Sequence, residues 1–274
     1  MLPTNAPAIV NVDDPRGAEL ARTLPTVVTY GIDKPADIRP VDVQASLEGL
    51  AFGVETPHGR LAVRSPLVGR PNVYNILGAI GVADALGLPH GAIEAGLARL
   101  DGVPGRFQMV SGRTDDVRVV VDYAHTDDAL KNLLETARPL CSGRLITVFG
   151  CGGDRDTTKR PLMGAVAARL SDLVVVTSDN PRSEDPARIM DDIKRGLAPA
   201  RDPGAPSRAT TPYIAIADRR LAIEHAIKQA KAGDLVLVAG KGHEKYQVIG
   251  DRTLPFDDVD VARAALQRRT ASQV

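Results

Sequence analysis

The sequence predicts an α/β protein whose second part contains a mostly parallel sheet with helices on both faces. From about residue 113, short apolar segments alternate with segments of helical periodicity. The apolar segments are nearly continuous, as expected of strands that are buried on both faces. Ligands of such sheets bind beyond the carboxyl ends of the strands. The residues that follow each strand are therefore where a site is expected.

The predicted elements of this second part follow in a regular order. The strands are predicted at residues 117–121, 145–149, 173–177, 213–216 and 235–239, and the helices at 127–138, 161–170, 186–197 and 218–231. A loop rich in proline, glycine and alanine is predicted over 199–212. Four polar segments follow strands and read DYAHTDD, GCGGDRDTTKR, SDNPRSEDP and GKGHEKYQ. A parallel sheet would bring all four to one edge.

The pattern before about residue 110 is different. Strands are predicted at 8–12 and 27–30 with a helix between them, and further helices at 72–86 and 89–100. Residues 40–64 alternate loosely around glycines, which predicts short antiparallel strands. The best candidate for a linker is Gly-Val-Pro-Gly at 102–105. The sequence thus predicts one domain over 1–110 and a second over 111–274.

Composition excludes several classes of function. The chain has 274 residues, of which 43% are hydrophobic and 25% charged, and its 34 basic residues balance 34 acidic ones. This balance gives no electrostatic footprint for nucleic acid or for an anionic membrane. No apolar run approaches the roughly 20 residues of a membrane span, and the N-terminus has no signal-peptide pattern. The two cysteines lack zinc-ligand spacing. We expect a cytoplasmic protein without nucleic-acid or membrane partners.

The glycine-rich segment FGCGGDRDTTKR follows an apolar strand, as phosphate-binding loops do. Neither standard phosphate motif fits, because no GK[ST] follows and Arg155 stands where a dinucleotide fingerprint needs glycine. The segment is either a tight turn with solvated charges or a loop whose backbone approaches a ligand closely. In the second case the Arg155 guanidinium is suited to a carboxylate.

The segment SDNPRSEDP also has two interpretations. Ser183, followed by an Asp-Pro pair, resembles the entry to a helix. Alternatively, Asp179, Asn180 and Arg182 offer an acceptor, an amide and a guanidinium within four residues, with Pro181 fixing the turn. That set suits a zwitterionic ligand carrying both ammonium and carboxylate groups.

The remaining two segments are equally open. GKGHEKYQ is either a turn that ends a strand or a contact in which Glu244 binds an ammonium group and Gly240 offers its backbone. In DYAHTDD, Thr126 or Asp127 would cap a helix. Alternatively, Asp122 and His125 of this segment would meet the ribose and base of a nucleotide.

Longer stretches resemble one known family. They read GRPNVYNILGAIGVADALG, DGVPGRF, VVVDYAHTDDAL, VFGCGGDRDTTKRPLMG, VVTSDNPRSEDP, VLVAGKGHEKYQ and LPFDDVDVARAAL. In this order and spacing they resemble the Mur ligases, and the resemblance covers essentially the whole chain. Within the family, the sequence closely resembles the branch that adds the third residue of the peptidoglycan stem peptide.

The resemblance implies a fold and an activity. The fold would be part of the family's central ATPase domain followed by a Rossmann-like C-terminal domain that binds an amino acid. The activity would be that of an ATP-dependent amide-forming ligase, with ATP and Mg²⁺ as cofactors. It would join meso-diaminopimelate to UDP-N-acetylmuramoyl-L-alanyl-D-glutamate in peptidoglycan precursor synthesis.

The resemblance also assigns site residues. Relatives that use diaminopimelate carry Asp-Asn-Pro-Arg in the third loop, and its arginine holds the distal carboxylate, whereas relatives that use lysine lack that arginine. The implied diaminopimelate pocket consists of Arg155, Asp179, Asn180, Pro181, Arg182, Gly240 and Glu244. The implied nucleotide-facing residues are Asn72, Asn75, Arg106, Asp122 and His125, with Arg106 near the phosphates.

The sequence departs from the family pattern in places. It contains no GK[ST], and it lacks the UDP-binding domain, the Mg²⁺-ligand stretch and the lysine that the family carbamylates. We therefore expect a C-terminal portion without metal ligands, inactive without a missing N-terminal half. Asp127 replaces the family's usual proline, with little consequence expected because both residues suit a helix start.

Two other functions are weighed against this one. The first is a non-catalytic module that binds diaminopimelate or a peptidoglycan precursor. The second is an NAD-dependent oxidoreductase, which the sequence opposes because no GxGxxG follows any strand.

Overall fold

The computed structural model describes residues 6–197 and 211–271, so most of the predicted loop over 199–212 lies outside the described residues. The chain forms two compact units, one ending at Gly102 and the other beginning at Val103. The sequence places the division at residue 110. The second unit begins earlier because residues Gln108–Met109 pair with its sheet.

The described part of the first unit, residues 6–102, contains two small sheets and three helices. Its elements are β1 (Ala8–Asn11), α1 (Pro15–Thr23), β2 (Val27–Tyr30), β3 (Arg39–Ser46), β4 (Gly49–Thr56), β5 (Gly59–Ser65), α2 (Arg70–Ala85) and α3 (His90–Ala98). Strands β1 and β2 pair in parallel, whereas β3, β4 and β5 form an antiparallel sheet. The predicted antiparallel strands are therefore confirmed.

The core of the first unit follows from the period of two in a strand. Alternate residues of β5 are buried, among them Leu61 and Val63. They belong to one apolar cluster with Leu77 and Ile80 of α2, both 0% exposed. This packing fixes α2, whose first turns carry two of the predicted site residues.

The second unit is built on a six-stranded sheet. Its elements are β6 (Gln108–Met109), β7 (Arg118–Asp122), α4 (Asp127–Ala137), β8 (Leu145–Phe149), α5 (Lys159–Leu170), β9 (Leu173–Val176), α6 (Pro186–Leu197), β10 (Tyr213–Ala215), α7 (Arg219–Gln229), β11 (Leu235–Ala239), β12 (Tyr246–Ile249), β13 (Arg252–Pro255) and α8 (Asp258–Ala271). The strand order is β10-β9-β8-β11-β7-β6. All neighbouring strands are parallel except β6 against β7. This confirms the predicted fold class.

The central strands are buried along their whole length, which explains their continuous apolar sequences. Every residue of β8, β9 and β11 is buried. Alternate residues such as Val119, Val121, Val236 and Val238 join a cluster with the apolar faces of α7 and α8. No helix among the described residues is long and apolar enough to cross a membrane.

Three short strands, β6, β12 and β13, were not predicted from the sequence, and neither was helix α8. Strand β6 has only two residues, and the antiparallel hairpin of β12 and β13 begins within the GKGHEKYQ segment. A strand of two residues is too short to give a periodic signal. The hairpin nevertheless bears on the site, because the Val248 carbonyl accepts a hydrogen bond from the Arg182 amide at 3.1 Å.

Candidate functional site

The four polar segments meet at one edge of the second unit's sheet. Strands β7, β8, β9 and β11 are parallel neighbours, so their carboxyl ends lie side by side. Backbone hydrogen bonds join the segments that follow them, for example Gly153 N to Asn180 O at 2.8 Å and Gly240 N to Asp122 O at 3.0 Å. The predicted convergence of the four segments is therefore confirmed.

The glycines after β8 allow two loops to touch. A Cβ added at Gly150 would lie 2.2 Å from the Thr177 carbonyl oxygen, and one at Gly153 would lie 1.9 Å from that of Pro181. The missing side chains thus serve close packing of backbone against backbone. No phosphate cradle is needed to explain them.

Gly152 lies between the two predicted arginines. A Cβ there would be 3.0 Å from Arg182 Nη1 and 3.8 Å from Arg155 Cγ. Arg182 Nη1 donates to the Gly153 carbonyl at 2.8 Å, and Arg155 Nη1 donates to the Asp154 carbonyl at 3.0 Å. The Nε and Nη2 atoms of both arginines have no hydrogen-bond partner among residues 6–197 and 211–271. Each arginine therefore presents an open guanidinium edge, the group that binds a carboxylate through two hydrogen bonds.

Beside these arginines lies a buried polar cluster centred on Lys241. Lys241 is 0% exposed, and its Nζ lies 2.9 Å from Asn180 Oδ1, 3.3 Å from Asp179 Oδ1 and 3.4 Å from Glu244 Oε2. Asn180 Nδ2 also donates to Glu244 Oε2 at 3.0 Å. Glu244 Oε1 has no hydrogen-bond partner in the described part of the chain. One carboxylate oxygen is thus left to face an ammonium group.

Lys241 is a site residue that the sequence analysis missed. It stands between two glycines directly after a fully buried strand. A buried lysine requires a compensating charge, and Asp179 and Glu244 supply two. The signal available in the sequence was a lysine so close to a buried strand, but its partners are 62 and 3 residues away. The local sequence pattern therefore pointed to the lysine but not to its distant partner Asp179.

Pro181 and Gly240 act through the backbone. Pro181 is buried, and its carbonyl accepts a hydrogen bond from Glu184 N at 3.0 Å. Gly240 adopts φ +117°, a conformation that favours glycine. Both residues shape the loops that carry the charged groups.

The segment does enter a helix, because α6 begins at Pro186 as the alternative interpretation expected, but that helix is not capped by Ser183. Its Oγ donates to Asp154 Oδ1 at 2.8 Å and so joins the third segment to the second. Asp185 directly precedes helix α6, and its Oδ1 accepts a hydrogen bond from Ala187 N in the first turn at 2.9 Å. The acidic residue caps the helix, which frees the hydroxyl for a contact between the loops.

In DYAHTDD, both Asp122 and Thr126 have structural partners. The Asp122 carboxylate accepts from Phe107 N at 2.7 Å and from Ala124 N at 2.8 Å. Burial raises the pKa of Asp122, although these hydrogen bonds and the positive charge of Arg106 oppose the increase. Thr126 Oγ1 accepts from Ala129 N at 3.2 Å, so the predicted helix cap is present.

Two histidine rings and one guanidinium group surround Tyr123. The centroid of its ring lies 4.6 Å from that of His125, 5.1 Å from that of His243 and 4.8 Å from Arg106 Cζ. The exposed Arg106 side chain is thus held by a cation–π contact. Arg106 and His125 were predicted from the sequence as site residues, whereas Tyr123, whose ring contacts both, was not.

Asn72 and Asn75 belong to the first unit. They occupy the first turns of α2, where Asn75 Nδ2 donates to Asn72 Oδ1 at 3.1 Å and Asn72 Nδ2 donates to Val68 O at 2.8 Å. Asn75 is exposed. Their assignment to a nucleotide stays a prediction.

Neither a reactive thiol nor a metal centre is found in the described residues. Burial raises the pKa of the Cys151 thiol to about 12, so this cysteine is not a nucleophile near neutral pH. Within residues 6–197 and 211–271, no group of three or more His, Cys, Asp or Glu side chains is arranged to hold a metal ion.

Comparison with known proteins identifies the family. Residues 105–242 match the family model of the Mur ligase glutamate ligase domain, and residues 1–83 match that of the Mur ligase middle domain. The first match alone covers half of the chain. The chain belongs to the Mur ligase family.

Several Mur ligases are similar over nearly all of this chain. Proteins named UDP-N-acetylmuramoyl-L-alanyl-D-glutamate--2,6-diaminopimelate ligase are 52% identical over 262 residues in Gloeobacter violaceus and 51% identical over 267 residues in Thermosynechococcus vestitus. Each alignment covers 96% of this chain and 52% or 51% of the relative. The chain therefore spans about half the length of the curated relatives it matches.

Solved Mur ligase structures agree with the fold. The structure of a ligase with that same name has 39% sequence identity and a TM-score of 0.66, and the alignment covers 96% of this chain and 53% of the other. MurF of Thermotoga maritima, solved in complex with ADP, has a TM-score of 0.66 at 17% identity. At that identity the likeness concerns the fold alone.

Proposed function

We propose that this chain supplies the amino-acid-selecting part of an ATP-dependent ligase that joins meso-diaminopimelate to UDP-N-acetylmuramoyl-L-alanyl-D-glutamate. The second unit would correspond to the family's C-terminal domain and the first unit to part of its central domain. Relatives of that name at about half identity support the substrate.

The observation that carries this proposal is a pair of arginines near Gly152, each with an open guanidinium edge. Arg155 and Arg182 both offer free nitrogen atoms there, and Glu244 keeps a free carboxylate oxygen beside the buried Lys241. Positive edges next to a negative oxygen fit the carboxylate and ammonium of one end of diaminopimelate. Lysine carries no carboxylate at its distal end, so it would leave one guanidinium unpaired.

The charge balance of the cluster supports the same ligand. Lys241 compensates part of the charge of Asp179 and Glu244, and the ammonium group of the ligand would compensate the remainder. The site holds both carboxylates in place through Asn180, whose Nδ2 bonds Glu244 and whose Oδ1 bonds Lys241. A rigid set of this kind orients the amine that attacks, and orientation lowers a reaction barrier by several kcal/mol.

The residues around Tyr123 fit a nucleotide in part. An exposed arginine held over a tyrosine ring, with two histidine rings at its sides, offers a flat face and a positive charge. ATP, when bound, would supply the phosphoryl group that activates the D-glutamyl carboxylate. The described residues offer no cluster that fits Mg²⁺.

Calorimetric titration of the 274-residue chain tests the amino-acid assignment. We expect meso-diaminopimelate to bind at least about 30-fold more tightly than L-lysine, since a site built for a polar group rejects the analogue that lacks it. Equal affinities for the two amino acids would contradict the proposal.

A hybrid enzyme tests the reaction and separates it from the alternative of a non-catalytic module. The chain would be fused behind the preceding half of the Gloeobacter violaceus ligase. The fusion should release ADP only when both meso-diaminopimelate and the UDP-linked dipeptide are present. Release that depends on lysine, or a folded fusion that binds diaminopimelate without any turnover, would argue against a ligase of this specificity.

A further inference from the structure

Two residues of the site hold a backbone conformation that side chains other than glycine rarely adopt. Asp154 has φ +53° and Arg182 has φ +51°. They lie on neighbouring loops, and the Asp154 carboxylate accepts hydrogen bonds from Ser183 N at 3.2 Å and from Ser183 Oγ at 2.8 Å. Unfavourable conformations persist only where the surroundings enforce them. Something at this junction must therefore hold both residues.

Glu184 holds the first of these residues, Asp154, whereas the Arg182 backbone is held by hydrogen bonds to Val248 and Gly250. Glu184 Oε1 accepts from Asp154 N at 2.6 Å and from Arg160 Nη2 at 2.8 Å, while its Oε2 accepts from Arg160 Nη1 at 2.9 Å. One carboxylate thus binds the backbone of the second segment from a position in the third. The hydrogen bonds from Arg160 also hold the pKa of Glu184 below its usual range, so the carboxylate stays charged at neutral pH.

Arg160 anchors Glu184 to the helices. It is 1% exposed in the first turn of α5. Its Nη1 donates to Asp192 Oδ2 of α6 at 3.0 Å, and its Nη2 donates to the Gly152 carbonyl at 3.2 Å. Arg160 therefore connects the pocket floor at Gly152 with two packed helices. A buried ion pair of this kind restricts where its partners can move.

The Arg182 guanidinium depends on the same loop. Its Nη1 donates to the Gly153 carbonyl at 2.8 Å, one residue from the backbone that Arg160 and Glu184 hold. Gly152 and Asp154, the residues on either side of Gly153, are fixed by Arg160 and Glu184 respectively. If either contact were lost, the acceptor that aims Arg182 would move.

We infer that Glu184, held by Arg160, is a positioning residue that aims the Arg182 guanidinium at the distal carboxylate of the amino-acid ligand. Glu184 touches no ligand in this scheme and acts only through Arg182. The inference rests on the proposed function, in which Arg182 selects diaminopimelate.

A double-mutant cycle tests the inference. The wild-type chain, Glu184→Ala, Arg182→Ala and the double variant are titrated with meso-diaminopimelate and with L-lysine. We expect Glu184→Ala to weaken diaminopimelate binding by about 10-fold and lysine binding by less than about 2-fold. In the Arg182→Ala background the same change should have an effect of less than about 2-fold, because the group that Glu184 positions is absent.

Two further variants separate positioning from folding. Glu184→Gln keeps an oxygen for Asp154 N and should recover part of the diaminopimelate affinity. It also remains informative if Glu184→Ala does not fold. Asp191→Ala removes an exposed carboxylate of α6 that pairs with Lys194, and it should change neither affinity.

The outcomes distinguish the two proposals. If the wild-type chain does not prefer diaminopimelate, the proposed function fails and this inference fails with it. If the wild type prefers diaminopimelate but Glu184→Ala weakens both amino acids equally, Glu184 serves folding only. Additive effects in the double variant would likewise overturn the inference, because they would show that Glu184 does not act through Arg182.

Discussion

Two loop junctions at the edge of the second sheet are built in opposite ways. The charged junction joins residues 150–160 to 178–185, and side-chain carboxylates and guanidinium groups make most of its contacts. The backbone junction joins residues 105–107 and 122–125 to 240–243. There, Tyr123 N donates to Gly105 O at 2.8 Å and Gly240 N donates to Asp122 O at 3.0 Å. Glycines supply the close approach.

The difference between the junctions bears on what each can recognise. The charged junction leaves guanidinium edges open beside Gly152, so its side chains can distinguish ligands by their charged groups. The backbone junction leaves the faces of rings and one exposed arginine around Tyr123. A flat surface of that kind accepts planar groups with little dependence on their charge pattern. The charged junction is therefore suited to selecting a ligand by its charges, and the backbone junction is suited to packing against a planar group.

The largest expected effect comes from Arg219, which lies beneath both junctions. Arg219 and Asp258 form an ion pair with both side chains 0% exposed. Arg219 also donates to the Ser178 carbonyl at 3.3 Å and to the Ala239 carbonyl at 3.0 Å. Arg219→Met should destabilise the second unit by about 3–5 kcal/mol, because it leaves a buried carboxylate unpaired. Urea unfolding followed by circular dichroism measures the loss.

Two variants check the physical reason for that loss. Arg138→Met breaks a pair with Asp172 whose side chains are 40% and 42% exposed, and it should cost about 0–1 kcal/mol. Arg219→Met combined with Asp258→Leu should recover part of the stability, since a buried charge no longer lacks its partner. A double variant as unstable as the single one would show that the contacts to the carbonyls matter more than the ion pair.

Arg182→Ala should break the selectivity of the charged junction while the fold is retained. A charge-assisted, two-point contact in a shielded pocket is worth about 2–4 kcal/mol, which corresponds to roughly 30- to 1,000-fold weaker binding of meso-diaminopimelate. ATP affinity, measured in the hybrid enzyme because this chain contains no GK[ST], should stay nearly unchanged, since this loop is assigned to the amino acid. Calorimetry with both ligands measures this. The exposed Arg188 on α6 is the matched control, and Arg188→Ala should alter neither affinity. A variant that keeps its preference over lysine, or loses ATP instead, would refute the assignment.

Gly242→Ala should damage the backbone junction instead. The glycine has φ +53°, and a Cβ there would lie 2.6 Å from Tyr123 Cβ and 2.8 Å from Tyr123 Cα. Overpacking together with the left-handed conformation should cost about 2–3 kcal/mol. Gly112→Ala is the control, since its Cβ would meet only Asp115 Oδ2 at 3.7 Å. Equal stability of the two variants in thermal unfolding would mean that the close approach at Tyr123 is not required.

The sequence predicted the parts of this site that local pattern determines. Continuous apolar segments such as Leu145–Phe149 predicted buried parallel strands, and a parallel sheet brings the following loops together. Partners far apart in sequence were not predictable in this way. Asn180 bonds Glu244 across 64 residues, and Arg160 bonds Glu184 across 24. Lys241 and Glu184 therefore emerged only from the folded chain, although the loops that carry them were expected at the site.

The smallest expected effect is a difference in acid response between the two junctions. In the charged junction, hydrogen bonds from Arg160 lower the pKa of Glu184, and those from Ser183 lower the pKa of Asp154. In the backbone junction, burial raises the pKa of Asp122 above 3.8. Asp122 and Asp154 have the same ordinary pKa, so carbon-detected NMR titration of the carboxyl groups should show Asp122 protonating before Asp154 as the pH falls.

The opposite shifts have opposite consequences for stability. Glu184 contributes stability above its unfolded pKa of 4.5, and this contribution is lost as the pH falls through its lower folded pKa. For Asp122 the folded state binds the proton more readily, so its contribution is present below pH 3.8 and is lost as the pH rises through its higher folded pKa.

Urea unfolding of the wild type, Glu184→Gln and Asp122→Asn at several pH values tests this. The free energy of unfolding of each variant is subtracted from that of the wild type, and the two differences should change with pH in opposite directions. The Glu184 difference should shrink below pH 4.5, and the Asp122 difference should grow in the wild type's favour as the pH falls towards 3.8. If both differences changed with pH in the same direction, the two carboxylates would not have opposite pKa shifts, and the electrostatic contrast between the junctions would be refuted.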